Sequence, residues 1–175
     1  MLEKINLKIE TPAGPIPSGR GFYQLDEEIL FVQIGLFLNS RKFYSYLETD
    51  NLLLDIDQNG RLIFIELDLS RRRWIVDQNL RIPKIIEPAD IRWYNFRDKI
   101  NLPKIITNNK KNIMKIEFSA NSNPLYYHLA DRVIVESNVF KILTALWVVD
   151  IIDDFAGHEI RDYRKKKRLD KSYFI

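Results

Sequence analysis

Short runs of aliphatic, β-branched and aromatic residues, each broken by turn-forming residues, set the pattern of this chain and predict strands rather than long helices. In FYQLDEEILFVQIGLF, the side chains Phe22, Tyr23, Ile29, Leu30, Phe31 and Val32 flank the polar Asp26-Glu27-Glu28, which reads as two strands and a tight turn. Ahead of it, TPAGPIPSGRG is dense in proline and glycine and reads as a loop. LLLDIDQNGRLIFIELDLS places two apolar runs around Asn59-Gly60, which predicts a hairpin closed by a type I′ turn, because both residues tolerate positive φ. Strand alternation then puts Leu52, Leu54 and Ile56 on one face and Leu53, Asp55 and Asp57 on the other. On the return strand, Ile63, Ile65 and Leu67 face opposite to Leu62, Phe64 and Glu66.

The middle of the chain is less regular. RIPKIIEP and NLPKIIT each read as extended, since the residue before a proline is pushed out of the helical region. Between them, PADIRWYNFRDK suits a short helix starting near Pro88 or a strand through Trp93, Tyr94 and Phe96. NSRKFYSYLET, at 39–49, reads as a helix capped by Asn39 or Ser40, or as a strand through Phe43, Tyr44 and Tyr46. Leu143 to Ile152 suits a buried helix or a buried strand, and Val148, Val149, Ile151 and Ile152 lean it towards strand.

Three strings recur in the same order. LKIE at Leu7–Glu10 is similar to MKIE at Met114–Glu117, FYQLDEEILFV to YYHLADRVIVE, and LLLDI at Leu52–Ile56 to WVVDI at Trp147–Ile151. Ordered recurrence predicts duplication. In NPLYYHLADRVIVESNV, WVVDIIDDFAGHEI and the hairpin LLLDIDQNGRLIFIELDLS, the chain resembles the YuzE-like family of small bacterial domains of unknown function. That resemblance implies a β-rich fold and carries no catalytic residue. The expected fold is mainly β, with α+β as the alternative: two related antiparallel β units packed as one domain with pseudo-twofold symmetry, and one or two short helices. Residues 1–80 form the first unit, 81–112 a proline-containing connecting segment, 113–163 the second unit and 164–175 a basic tail.

A chain of 175 residues with 46% hydrophobic and 29% charged side chains can bury a core without staples. It has no cysteine, which excludes disulfides, thiol nucleophiles and cysteine-ligated metals. The first residues lack the apolar stretch of a secretory signal, and the longest apolar run, Leu143 to Ile152, is too short to span a bilayer, so a cytoplasmic location and no membrane partner are expected. The net charge of +3 is unevenly placed. Residues 159–175 hold seven Lys/Arg against three acids, which leaves 20 bases and 21 acids for the rest.

Candidate chemistry is sparse. The run Arg164, Lys165, Lys166, Lys167 and Arg168, with the triplet Arg71, Arg72 and Arg73, could neutralise phosphates of a nucleic acid, with Tyr163, Tyr173 and Phe174 stacking on bases. The bland reading is a solvated extension. Asp153, Asp154 and His158 could hold a divalent metal if the loop curled around them, although no established ligand spacing is present. His128 reads as exposed or hydrogen-bonded. Asp55 and Asp57 share a strand face, but carboxylates before a tight turn serve backbone geometry more often than acid–base work. No phosphate-binding glycine loop or nucleophile elbow occurs. The sequence favours an uncharacterised, non-enzymatic interaction module that pairs with itself or a protein partner and carries no cofactor. A nucleic-acid-binding accessory protein and a small metal-dependent enzyme are the alternatives.

Overall fold

In a computed structural model, which describes residues 4–35, 43–155 and 157–171, the chain is mainly β. The strands are β1 (Leu7–Glu10), β2 (Gly19–Gln24), β3 (Ile29–Ile34), β4 (Phe43–Glu48), β5 (Leu52–Asp57), β6 (Leu62–Leu67), β7 (Ile75–Val76), β8 (Glu87–Pro88), β9 (Asp90–Trp93), β10 (Asp98–Lys99), β11 (Lys104–Thr107), β12 (Met114–Glu117), β13 (Leu125–Ala130), β14 (Val133–Ser137), β15 (Leu143–Val148) and β16 (Ile152–Asp154). A 3₁₀ turn covers Arg71–Arg73, and one α-helix, α1, spans His158–Lys171.

Two seven-stranded sheets result, ordered β10-β4-β5-β6-β3-β2-β16 and β7-β11-β12-β15-β14-β13-β8. Their facing sides share one core. From the first sheet come Leu30, Val32, Leu54, Ile56 and Ile65, and from the second Met114, Ile116, Val133, Val135 and Leu146. The antiparallel ribbon β1–β9 adds Leu7, Ile91 and Trp93 to that core. It spans from the β5–β6 turn, where the Trp93 amide donates to Gly60 O (2.7 Å), to the β14–β15 turn, where the Leu7 amide donates to Lys141 O (3.0 Å).

Each sheet also has a covered outer face. On the first, Phe22, Phe31, Phe43, Ile63 and Phe64 pack with Ile160 and Tyr163 of α1. On the second, Ile134, Ala145, Trp147 and Val149 pack with Leu80, and Ile86 is half-buried against them. The arrangement is thus four layers, and it explains why β3, with both faces covered, is apolar at five of its six positions instead of alternating.

The Asn59-Gly60 hairpin forms, but its turn is not type I′. Gly60 alone of the pair has positive φ (82°), and its amide donates to Asp57 O (3.0 Å), while the Asp57 amide donates to Arg61 O (2.9 Å). This is a three-residue loop, a type I turn followed by a left-handed glycine. Asp57 Oδ1 selects it by accepting from the amides of Asn59 (2.8 Å) and Arg61 (2.9 Å), which also accounts for this buried carboxylate. A register shift between Asp55 and Ile56 then turns Leu62 inward with Ile65 and Leu67 and leaves both Ile63 and Phe64 facing α1, so the expected alternation fails at that bulge. A Cβ on Gly60 would stand 2.9 Å from Trp93 O. Gly60→Ala is therefore expected to lower stability by about 1–3 kcal/mol in urea unfolding, whereas Asn59→Ala should cost under about 0.5 kcal/mol.

Other expectations resolve as follows. Leu143–Val148 is strand, as is Phe43–Glu48, while Asn39 and Ser40 lie outside the described residues. PADIRWYNFRDK forms no helix: Asp90–Trp93 pairs with Leu7–Glu10, because Ile91 and Trp93 alternate into the core. Of the three recurring strings, only the middle one falls on corresponding elements, the hairpins β2–β3 and β13–β14. LKIE lies in the ribbon whereas MKIE lies within the second sheet, and Leu52–Asp57 is one strand further from its hairpin than Leu143–Val148. β16 leaves the second sheet's strands to pair in parallel with β2 of the first. The basic tail does not begin as an extension: residues 158–171 are helical and docked.

Candidate functional site

The most concentrated polar cluster lies beneath α1. Tyr163, fully buried, reaches from the helix across Phe31 (ring centroids 5.5 Å) and Phe64 (4.4 Å), and its hydroxyl donates to Asp55 Oδ2 at 3.1 Å. One turn on, Lys167 Nζ meets Asp55 Oδ2 at 2.7 Å and the Tyr163 hydroxyl at 3.3 Å, with Glu66 Oε2 at 3.8 Å. Positions 160, 163 and 167 lie on one helix face by the i, i+3, i+7 rule, and Asp55 and Glu66 project from the covered side of the first sheet. Burial, reinforced by the charges of Asp55 and Glu66, holds the Tyr163 phenol far above its ordinary range, so it stays a neutral donor. The cluster is closed on itself and fastens α1 to the sheet; it presents no open position to a substrate.

Of the eight basic residues singled out in the sequence, Arg72 and Arg164 gather at the β2–β3 turn and much of the others' charge is matched as well. Arg71 Nη1 pairs with Asp153 Oδ1 (2.9 Å), Arg72 Nη2 with Glu28 Oε1 (2.7 Å), Arg164 Nη1 with Glu27 Oε1 (2.9 Å), and Lys167 with Asp55. The acidic β2–β3 turn thus sits between the 3₁₀ turn and the helix. Hydrogen bonds from Arg164 and Arg72 hold the carboxyls of Glu27 and Glu28, respectively, below their usual range. Arg73, Lys165 and Arg168 are exposed, and burial lowers the ammonium of Lys166. Tyr173 and Phe174 lie outside the described residues.

Asp153, Asp154 and His158 do not converge. Asp153 is engaged by Arg71, Asp154 Oδ2 accepts from the Ile160 amide at the start of α1 (3.3 Å), and His158 is exposed on the first helical turn. Among the described residues, no group of three or more His, Cys, Asp or Glu is placed to hold a metal ion. His128 is half-buried in β13, its Nδ1 3.3 Å from Ala130 O.

The second sheet buries a carboxylate of its own. Glu136 accepts from Thr144 Oγ1 (2.9 Å) and Trp147 Nε1 (3.2 Å), and Lys115 Nζ lies at 3.8 Å. Burial lowers the affinity of Lys115 for its proton, but the hydrogen bond with Glu117 and the charge of Glu136 outweigh it and keep the ammonium above its ordinary range. Tyr126 stands edge-on to Trp147 (6.3 Å) and borders a groove of about 500 Å³ lined by Pro83, Lys84, Ile85, Glu87, Leu125 and Tyr127. Ile85 is 82% exposed, and Leu125 of the same groove is exposed too. β8 covers this edge of β13 only at Tyr127 and His128, so Leu125 and Tyr126 lie outside that pairing. A smaller cavity of about 210 Å³ under the proline loop 12–17 is bordered by Arg61 and Asp90, a bidentate pair (2.9 and 2.9 Å) that neutralises itself.

No protein-family model and no curated protein matches the chain. Among the described residues, no helix is long and apolar enough to cross a membrane. Sequence reasoning missed the groove, because Pro83 to Glu87 and Leu125 come together only through the parallel β8–β13 pairing. It also missed Glu66 and Lys167 as partners; the readable signal was Ile160, Tyr163 and Lys167 on one helical face.

Proposed function

We propose that the protein is a non-catalytic interaction module that pairs with a second copy of itself along the outer edge of β13. The observation that carries this reading is the apolar pair Ile85 and Leu125, exposed on one groove beside a stretch of strand that β8 leaves outside its pairing. Self-pairing suits the rim charges. Lys84 and Glu87 lie three residues apart on the same segment, and a twofold axis through the groove would set each against its opposite in the other copy. The buried ionisable groups favour binding over catalysis, since Asp55, Glu136 and Tyr163, with the half-buried Glu66, are engaged by other protein groups rather than turned into an open cavity.

The absence of cysteine fits a reducing compartment, and we place the module in the cytoplasm. The resemblance to YuzE-like bacterial domains enters through the hairpins β13–β14 and β5–β6, and the similar pair β2–β3 and β13–β14 we read as products of duplication. Sedimentation equilibrium tests the reading. The wild-type chain is expected to form dimers below about 100 μM, and the double variant Ile85→Asp with Leu125→Asp to stay monomeric there with an unchanged circular dichroism spectrum. A wild-type chain that sediments as a monomer throughout that range would rule the pairing out.

A further inference from the structure

Flanking the face that α1 fixes to the first sheet, the helix carries a second ordered stripe. Arg161, Arg164, Lys165 and Arg168 fall at i, i+3, i+4 and i+7, and all four line one cleft of about 630 Å³ whose opposite wall is Gln24, Asp26 and Glu27, two acids against four bases. Arg164 is held by Glu27. The side chains of Arg161, Lys165 and Arg168 make no hydrogen bond or ion pair with the described residues. Because Ile160, Tyr163 and Lys167 anchor the other side of the helix, the stripe is presented on a rigid element rather than a floating tail. From 161 to 168 the helix rises about 10 Å, the axial length of about three phosphates on one nucleic-acid strand.

We infer that this stripe binds the phosphate backbone of nucleic acid without regard to sequence. Three arginines and a lysine in a row offer planar forks suited to phosphate oxygens. A lipid surface fits less well. The apolar side of α1 is buried on the sheet, and from Arg161 to Arg168 every residue but the buried Tyr163 is charged, with no apolar group there to enter a bilayer. Glu27 acts as an internal competitor that the phosphate displaces from Arg164. The site is separate from the β13 groove, so the two readings stand or fall independently.

Fluorescence anisotropy with labelled 20-nucleotide single strands and 20-base-pair duplexes of mixed sequence tests the inference on the full chain. Binding at low salt is expected, with log K falling against log salt with a slope of about −2 to −3, as three or so phosphate contacts require. The variant Arg161→Glu/Lys165→Glu/Arg168→Glu should lose at least about tenfold in affinity while keeping its urea midpoint, since all three side chains stand off the core. Glu27→Gln should bind roughly two- to fivefold tighter by releasing Arg164. Lys104→Glu/Lys110→Glu/Lys141→Glu carries the same change of charge on exposed positions elsewhere, and should fall much less. Equal losses in the two triple variants, an affinity indifferent to salt, or binding to phosphatidylserine vesicles without binding to either nucleic acid would each overturn it.

Discussion

Lys167→Ala is expected to lower the unfolding free energy by about 3–5 kcal/mol, because it leaves the buried Asp55 carboxylate without its cation. The Lys167 ammonium is the nearest positive charge to Asp55, at 2.7 Å, and it also donates to Tyr163. The Tyr163 hydroxyl alone would then have to serve Asp55 and Glu66 together. Urea unfolding followed by circular dichroism measures the loss. The double variant Asp55→Asn/Lys167→Met should recover much of it, since replacing both members of a buried ion pair is far less costly than removing one. A single variant within about 1 kcal/mol of wild type would show that the helix is held by its aromatic contacts alone.

Trp93→Ala should cost a comparable amount, about 3–5 kcal/mol, by opening a cavity where the ribbon enters the shared core. Trp93 is among the largest side chains fully buried in the protein. Its Nε1 is also buried without a hydrogen-bond partner among the described residues. Trp93→Phe therefore removes an unpaired donor together with part of the ring, and the two effects offset, so that variant should lie within about 1.5 kcal/mol of wild type. Thermal and urea denaturation of the pair separates volume from polarity. Equal losses in both would show that the ring's full size, and not its polar atom, decides stability at this position.

Much of the first sheet was legible because its information is local. Asn59-Gly60 marks a hairpin whatever the turn type, and the runs around Phe22, Ile29 and Leu52 have no other good use. The turn type was not legible, because it depends on Asp57 folding its carboxylate over the Asn59 and Arg61 amides. The strand at Asp90–Trp93 was ambiguous for a related reason. Its partner, Leu7–Glu10, lies about eighty residues away, and WYNF alone fits either conformation. Of the recurring strings, only the middle pair falls where sequence and topology coincide, at the hairpins β2–β3 and β13–β14. The LKIE and WVVDI matches do not fall on corresponding elements: LKIE lies in the ribbon while MKIE lies in the second sheet, and LLLDI stands one strand further from its hairpin than WVVDI.

The basic end of the chain is the most instructive difference. RDYRKKKR looks solvated because its charge dominates its few apolar residues, yet Ile160 and Tyr163 suffice once an aromatic face waits for them. The acids that quiet four of the eight candidate bases come from the β2–β3 turn, from β5 and from β16, and no sequence window contains them together. Of the candidates, Arg164, Lys165 and Arg168 join Arg161, which was never a candidate, in a narrower stripe than the sequence suggested.

The strap formed by β16 and α1 sets a timetable for synthesis. β6 emerges at Leu67, but the outer side of that sheet, with its phenylalanines and the Asp55 carboxylate, stays uncapped until Lys167 has left the ribosome. At ordinary translation speeds that interval lasts roughly 5–20 s, long enough for a nascent chain to collide with its neighbours on a polysome. Crowded expression should therefore favour inclusion bodies, and fewer chains per polysome or chaperone supply should favour recovery of folded protein.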